Sequence, residues 1–139
     1  MCDYLIMNAA IADFKIKGDT SKKFPKNKLE NFLSNNIELI PDILKDLCET
    51  KKQTQVFVGF CAFTGSIKSA MKNIKEKIIL KGCDLLFANP IDIEGQGFGE
   101  SAKNEGWLFD KKDMLNHIEK TSKIELANNL ITQIISINK

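Results

Sequence analysis

Short apolar runs alternate along the chain with longer segments in which apolar residues recur every three or four positions. Tyr4 to Met7, Gln55 to Ala62 and Cys83 to Ala88 are compact runs of β-branched, aromatic and aliphatic residues, a pattern typical of strands buried on both faces of a sheet. Shorter strands are predicted at Glu105 to Asp110 and Met114 to Ile118.

The intervening segments predict three amphipathic helices. The first begins at Pro41, with Asp42 at its positive end and an apolar face of Ile43, Leu44, Leu47 and Cys48. The second follows Ser66 and ends at Gly82. The third follows a capping box of Ser122 and Glu125, and its predicted apolar stripe consists of Ala127, Leu130, Ile131, Ile134 and Ile135.

This alternation predicts a single α/β domain over residues 1–139, a Rossmann-like three-layer sandwich with a largely parallel sheet. Ligands of such folds bind beyond the carboxyl ends of the strands. We therefore expect four features to gather at one edge: the Asn8 turn, the helix start at Pro41, the strand end at Phe60 and the loop at Asn89.

The stretch from Tyr4 to Lys28 predicts a binding site covered by a basic flap. Small residues follow its strand and permit close approach to the backbone, and Asp13 adds one carboxylate. Six lysines then lie among Gly, Asp, Ser, Pro and Asn residues, which favours a mobile loop over a helix. Leu29 to Leu39 is predicted to continue as a strand or extended arm.

Composition narrows the function classes. The net charge of +2 does not indicate nucleic-acid binding, and no apolar run approaches the length of about 20 residues that crosses a bilayer. The start of the chain lacks the features of a signal peptide, so a cytoplasmic protein is expected. Four dispersed cysteines predict reduced structural thiols, and no metal site is predicted. The clustered lysines, without any arginine, favour a small anionic ligand.

Several candidate site residues have two interpretations. Lys23 and Lys26 either fold over phosphates or belong to a solvated loop. Lys77 and Lys81 lie one helical turn apart, where they either hold a triphosphate or complement the negative end of the helix. Similarly, Phe60 either stacks on a nucleobase or fills the core, and Asp13 binds a sugar hydroxyl or magnesium-bound water, or caps a turn.

Motifs in one consistent order resemble the carboxy-terminal part of phosphopantothenoylcysteine synthetase. This activity forms the second half of the bifunctional coenzyme A biosynthesis flavoprotein. The motifs are AAIADF from Ala9, KFPK from Lys23, PDIL from Pro41, VGF from Val58, DLLFAN from Asp84, GFGESAKNE from Gly97 and KTSKIELA from Lys120. Together they cover essentially the whole chain.

The resemblance implies a ligation in two steps. CTP, accompanied by Mg²⁺, activates the carboxylate of 4'-phosphopantothenate as an acyl-cytidylate, and the amine of cysteine then displaces CMP. It further implies catalytic roles for Lys23 and Lys26, and contacts of Ala9 and Asn89 with the acyl substrate. The implied nucleotide-binding residues are Met7, Asn8, Ala9, Asp13, Lys23, Pro41, Asp42, Ile43, Leu44, Phe60, Lys77 and Lys81.

The chain also departs from the family pattern. The family's first strand, glycine-rich turn and Asn-x-Ser-Ser-Gly segment have no counterpart here, so the resemblance implies a partial domain that lacks the first βα units. It likewise implies that the flavin-dependent decarboxylase, which alone uses FMN, is absent. Phe63 stands where an acidic residue is usual, and a longer spacing from Phe60 leaves the register of Lys77 and Lys81 open.

Two function classes follow. The first is the CTP-dependent ligase, incomplete as an isolated chain and homodimeric as the family often is. The alternative is a non-catalytic nucleotide-binding or subunit-interaction module. A nicotinamide-binding domain is disfavoured because the glycine fingerprint of such domains is absent.

Overall fold

The computed structural model describes residues 2–18, 25–96 and 103–137, which contain seven strands and four helices. The strands are β1 (Tyr4–Met7), β2 (Phe14–Ile16), β3 (Ile37–Leu39), β4 (Val56–Phe63), β5 (Leu85–Pro90), β6 (Lys103–Asp110) and β7 (Met114–Ser122). The helices are α1 (Lys26–Asn36), α2 (Ile43–Thr50), α3 (Ile67–Lys81) and α4 (Lys123–Ile137).

Five strands form one sheet in the order β1-β4-β5-β6-β7. The pairs β1–β4 and β4–β5 are parallel, whereas β6 is antiparallel to both of its neighbours. Four of the five strands therefore run in the same direction, and the predicted largely parallel sheet is confirmed. β2 and β3 form a separate antiparallel ribbon.

Helices cover both faces of the sheet, which confirms the predicted three-layer arrangement. Leu44 of α2 and Ile74 and Ile78 of α3 pack on one face, in a cluster with Phe109. Leu126, Leu130 and Ile134 of α4 pack on the other face, against Val58 and Phe87 among others. No helix in the described ranges is long and apolar enough to span a membrane.

The predicted stripe of α4 is only partly correct. Leu130 and Ile134 are buried as expected, but Leu126 completes the buried stripe, while Ala127, Ile131 and Ile135 are exposed. Residues spaced by four positions lie on one side of a helix, so the set starting at Leu126 and the set starting at Ala127 form adjacent stripes. Only the first stripe is buried against the sheet.

The prediction that β1 is buried on both faces is wrong. Ile6 is 38% exposed to solvent, and the residues of β1 alternate between exposed and half-buried. The reason is position, since β1 is an edge strand of the described sheet and pairs only with β4 there.

The predicted arm over Leu29 to Leu39 is a strand only in its last three residues. The preceding part belongs to α1, in which Leu29, Phe32 and Leu33 follow helical spacing and the Asn36 side chain donates to the carbonyl of Phe32 at 2.8 Å. The expected loop is also partly ordered, because it contains β2 and the first turn of α1. Residues 19–24 lie outside the described residues.

Other boundaries shift by a few residues. α2 begins at Ile43 rather than Pro41, and β5 lies two residues later than predicted. α3 agrees with its predicted caps, since the Ser66 hydroxyl accepts from the N–H of Ser69 and Gly82 ends the helix. The predicted glycine-bearing loop after Pro90 is described only as far as Gln96.

The four cysteines are free thiols; Cys61 and Cys83 are buried, whereas Cys2 is exposed. Cys83 is completely buried beneath α2 and α3, and this burial raises the pKa of its thiol to about 11. The Cys83 thiol therefore remains protonated at neutral pH and serves as an apolar packing group.

Candidate functional site

A cavity of about 440 Å³ lies at the end of β1, beside β4, α2 and α3. Its lining comes from five separate parts of the chain, the last of which is Leu86. Of the four features predicted to gather at one edge, it contains the turn after β1, the helix start at Pro41 and Phe60, but not Asn89. Its lining includes ten predicted site residues: Met7, Ala9, Asp13, Pro41, Asp42, Ile43, Leu44, Phe60, Lys77 and Lys81.

Gly59 allows α2 to approach the sheet closely. A Cβ atom at this position would lie 2.7 Å from Leu44 Cδ2 and 3.0 Å from Leu86 Cδ1, closer than such atoms normally come. Since Gly59 pairs with Met7 in the adjacent strand, the same approach brings the start of α2 next to the end of β1. The short distance between α2 and the sheet, and with it the shape of this side of the cavity, therefore depends on glycine at position 59.

Asp42 joins the two helices that border the cavity. One carboxylate oxygen accepts from the N–H of Lys45 at 3.2 Å and caps α2, while the other accepts from the ammonium of Lys81 at the end of α3. Partial burial opposes ionisation of Asp42, but the hydrogen bonds from Lys81 and Lys45, with the charges of both lysines, outweigh it and lower the carboxyl pKa. Asp42 is therefore ionised at neutral pH.

Lys77 lies one turn before Lys81, and its ammonium is 3.4 Å from the thiol sulfur of Cys61. No described carboxylate is paired with it. Lys77 thus supplies a positive charge to the cavity, adjacent to that of Lys81.

The start of α2 contributes backbone donors to the cavity. The backbone N–H groups of Ile43 and Leu44 have no acceptor within the helix because they lie in its first turn.

Phe60 is half-buried within β4, which continues to Phe63, so the predicted strand end at Phe60 is wrong. Its ring packs against Phe87 with a centroid distance of 5.5 Å. It lines the cavity and also a second cavity of about 460 Å³ on the α4 side of the sheet. The first cavity therefore combines an aromatic ring, two ammonium groups and free N–H donors. These groups suit a ligand with a planar ring and a polyanionic tail.

The second cavity contains the other predicted residues near this edge. Asn8, predicted to face the same ligand as Met7, lies here instead, together with Asn89 and Ala9. Side chains alternate between the two faces of a strand, so residues adjacent to Met7 at the end of β1 reach the opposite side of the sheet.

Of the two flap lysines, only Lys26 belongs to the described part of the chain. Lys23 lies outside the described residues. Lys26 is exposed at the first position of α1 and lines neither cavity.

The sequence did not indicate several lining residues. Ile40 and Leu80 belong to the first cavity, and Asn104 and Lys123 belong to the second. Lys123 follows the predicted cap of the last helix, and Asn104 lies in the GFGESAKNE motif. Asn104 and Lys123 are recognised as lining residues only because the fold places them in the same cavity as Asn89.

Asp42→Asn is expected to remove part of the pH dependence of stability. Because folding lowers the carboxyl pKa, its ionised form stabilises the fold above the unfolded value of about 4, and this contribution disappears as pH falls through the folded value. Asparagine retains the helix cap, so the wild-type advantage at pH 7 should be below about 1 kcal/mol, and it should be lost as pH falls through the lowered pKa of Asp42. Urea unfolding across this range measures it.

The control is Asp3→Asn, at an exposed carboxylate with no ion pair to a described residue. If wild-type and Asp42→Asn proteins lose stability in parallel on acidification, the proposed contribution of the Asp42–Lys81 pair is wrong.

Comparison with known proteins reveals one matching family, described as DNA/pantothenate metabolism flavoprotein C-terminal domain, over residues 1–137. A coenzyme A biosynthesis bifunctional protein CoaBC of Bacillus subtilis is 31% identical over 137 residues, which are 99% of this chain and 32% of that protein. A cysteine/cysteine sulfinic acid decarboxylase of an unknown prokaryotic organism is 29% identical over 98% of this chain and 36% of its own length.

Among solved structures, the C-terminal domain of a coenzyme A biosynthesis bifunctional protein CoaBC superposes with a TM-score of 0.67 at 25% identity. The match covers 97% of this chain and 56% of that domain. The chain thus spans about a third of the length of the curated relatives it matches.

Proposed function

Because the chain belongs to the DNA/pantothenate metabolism flavoprotein C-terminal domain family, we propose that it provides the nucleotide site of a CTP-dependent ligase joining 4'-phosphopantothenate to cysteine. The resemblance to the carboxy-terminal part of the bifunctional coenzyme A protein is confirmed at family level. The ligation chemistry, the choice of CTP and the residue roles are the proposal.

The observation that carries this proposal is the composition of the first cavity. Ten of the twelve residues expected to contact the nucleotide line this one space, although they come from four distant parts of the sequence. Its ammonium groups and free N–H donors suit a triphosphate, while Phe60 offers a ring face to the base. Lys77 and Lys81 share this wall, so their spacing suits one polyanionic ligand.

In the first step, a carboxylate oxygen of 4'-phosphopantothenate attacks the α-phosphorus of CTP, and pyrophosphate leaves. In the second step, the amine of cysteine attacks the acyl carbon, loses a proton and expels CMP. Lys77 and Lys81 stabilise the charge that develops on the phosphate oxygens, and the cavity walls hold the reacting groups in line. No protein nucleophile is required.

Asp13 is the residue proposed to engage the magnesium that accompanies CTP. Its carboxylate lines the first cavity and has no ion pair with a described residue, whereas Asp42 is occupied by Lys81. Magnesium on a nucleotide commonly takes one or two protein carboxylates and completes its shell with phosphate oxygens and water. The single Asp13 carboxylate is compatible with this shared mode of binding.

The proposal is tested by measuring pyrophosphate and CMP with CTP, 4'-phosphopantothenate and cysteine. We expect the isolated chain to bind CTP but to turn over poorly, since the resemblance implies that part of the site is missing. Full turnover by the chain alone would refute the claim that part of the catalytic site is missing from it. Absence of CTP binding would refute the ligase proposal, and tight CTP binding without any ligation in a reconstituted enzyme would favour the non-catalytic module.

We also propose that two copies associate through the β2–β3 ribbon. Its apolar residues form cross-strand pairs on one face, Phe14 with Leu39 and Ile16 with Ile37. Phe14 and Leu39 are nevertheless 52% and 79% exposed to solvent. The other face is charged, with the Lys15 ammonium 3.2 Å from the Glu38 carboxylate. An unpartnered apolar face backed by an ion pair suits a subunit interface.

Leu39→Asp is therefore expected to convert a dimer into a monomer, because it would place a charge in the centre of the apolar contact. Sedimentation equilibrium measures the change as an increase of at least about tenfold in the dimer dissociation constant. Ile79→Asp is the matched control, since Ile79 is also exposed but lies on α3, away from the ribbon. A monomeric wild-type protein at high concentration would contradict the proposal.

A further inference from the structure

Lys77 and Lys81 share a wall of the first cavity, but different partners hold them. The Lys81 ammonium is paired with the Asp42 carboxylate, whereas the Lys77 ammonium lies 3.4 Å from the thiol sulfur of Cys61. A carboxylate offsets the charge of the cation that it binds, and a thiol that keeps its proton does not. The full charge of Lys77 therefore remains available to an anion.

Cys61 presents a fixed sulfur atom to this ammonium. It lies in β4 opposite Ala88 of β5, is 6% exposed and belongs to the core cluster beneath α2 and α3. Its thiol donates to the carbonyl of Ala62 at 3.5 Å, so the lone pairs of the sulfur can accept from Lys77. Close packing around Cys61 keeps the sulfur in this position.

The position of the Lys77 ammonium is unusual for its side chain. Lys77 is exposed, and a lysine at such a position on a helix samples many rotamers. Its ammonium nevertheless turns back toward the sheet, at the border between the first cavity and a third cavity of about 350 Å³ between β4 and α3. Lys77 lines both spaces, whereas of these two Cys61 lines only the third. The thiol thus keeps the ammonium beside the first cavity.

The contact is also weak enough to be exchanged for a ligand. Sulfur is a poorer acceptor than oxygen, and a phosphate oxygen offers the ammonium a charge-assisted hydrogen bond. Lys81, in contrast, must share its charge between a phosphate and Asp42. A buried thiol can therefore locate the Lys77 cation without competing strongly for it.

We propose that Cys61 is a positioning residue, which holds Lys77 ready for the phosphates of the nucleotide. This inference rests on the proposed ligase function and extends it to a residue that touches no substrate. Ordering one long side chain on binding lowers affinity by a factor of about 2 to 10. The Cys61 contact removes part of this loss because it orders Lys77 before CTP binds. If Cys61 only filled the core, it would have no such effect.

Calorimetric titration of the full chain with CTP and Mg²⁺ tests the proposal. Cys61→Ala should weaken CTP binding about fivefold, and Cys61→Ser, which keeps an acceptor, should bind within about twofold of wild type. In a Lys77→Ala background, Cys61→Ala should have no further effect, because Cys61 acts only through Lys77. Cys83→Ala is the matched control, since it removes a sulfur atom from the same core cluster but lines neither cavity.

The contact can also be measured without nucleotide, by NMR of protein with ¹³C- and ¹⁵N-labelled lysine side chains. The Lys77 signal is identified as the one missing from Lys77→Ala. In wild type and Cys61→Ser it should differ from the signal of an exposed lysine such as Lys68, and in Cys61→Ala it should move toward that signal.

Three results would overturn this inference alone. They are CTP affinity that is unchanged in Cys61→Ala, an equal loss of affinity in Cys83→Ala, and an equal effect of Cys61→Ala with and without the Lys77 side chain. A Lys77 signal that does not respond to Cys61→Ala, in protein that binds CTP, would also overturn it. Wild-type protein that binds no CTP would overturn the proposed function together with this inference.

Discussion

Replacing both Lys77 and Lys81 with alanine is expected to weaken CTP binding by about 100-fold. Both residues line the first cavity, and each can donate a charge-assisted hydrogen bond to phosphate. Loss of about 1.5 kcal/mol for each contact corresponds to this combined factor. Calorimetric titration with CTP and Mg²⁺ measures it, and the remaining affinity should depend less on salt than that of the wild type.

Lys68 and Lys72 provide a matched control pair on the same helix. They have the same four-residue spacing and are exposed, but neither lines the first cavity. Their double alanine variant lowers the net charge equally and should bind CTP within about twofold of wild type, as expected for screened surface charges. Equal losses in the two double variants would show that only overall charge matters and would contradict the assigned cavity.

Gly106→Ala is expected to destabilise the fold by about 3 kcal/mol, the largest effect on stability among the substitutions considered. A Cβ atom at this position would lie 2.1 Å from Cζ of Phe87. Phe87 is 1% exposed and packs in the core beneath α4, so its ring cannot move away without disturbing its neighbours. Urea unfolding monitored by circular dichroism measures the loss.

The cause can be isolated with a double-mutant cycle. Phe87→Leu should destabilise the protein by itself because it leaves a cavity, but it removes the ring atoms that Gly106→Ala would meet. The alanine should therefore cost much less in the Phe87→Leu background than in the wild type. Additive effects of the two substitutions would contradict the contact as the cause.

The central strands and the long helices could be predicted because their signals are local. β4 and β5 are nearly continuous apolar runs, and Ser66 and Gly82 mark the ends of α3. The incorrect predictions concern residues whose burial depends on the position of their element in the tertiary structure. β1 has the apolar composition of a central strand but lies at the edge of the described sheet, and Ile131 has the spacing of a core residue but is exposed.

The candidate site was predictable in part. The rule that ligands bind beyond parallel strand ends brings together the end of β1, Phe60 and Asn89 without knowledge of side-chain contacts. Local sequence alone favoured a macrodipole role for Lys81, and only the fold shows that this residue reaches Asp42 on another helix. Only the fold brings Lys123 into the same cavity as Asn89, which is distant in sequence.

The most direct test of the nucleotide site is a titration of ¹⁵N-labelled protein with CTP and Mg²⁺, followed by amide chemical shifts. We predict that the largest changes cluster at the described residues of the first cavity, in the turn after β1, at the start of α2, at Phe60 and at Lys77 and Lys81. The β6–β7 hairpin around the stacked Trp107 and His117 should change little. Saturating CTP that leaves the cavity residues unshifted, or shifts the hairpin instead, would contradict the account.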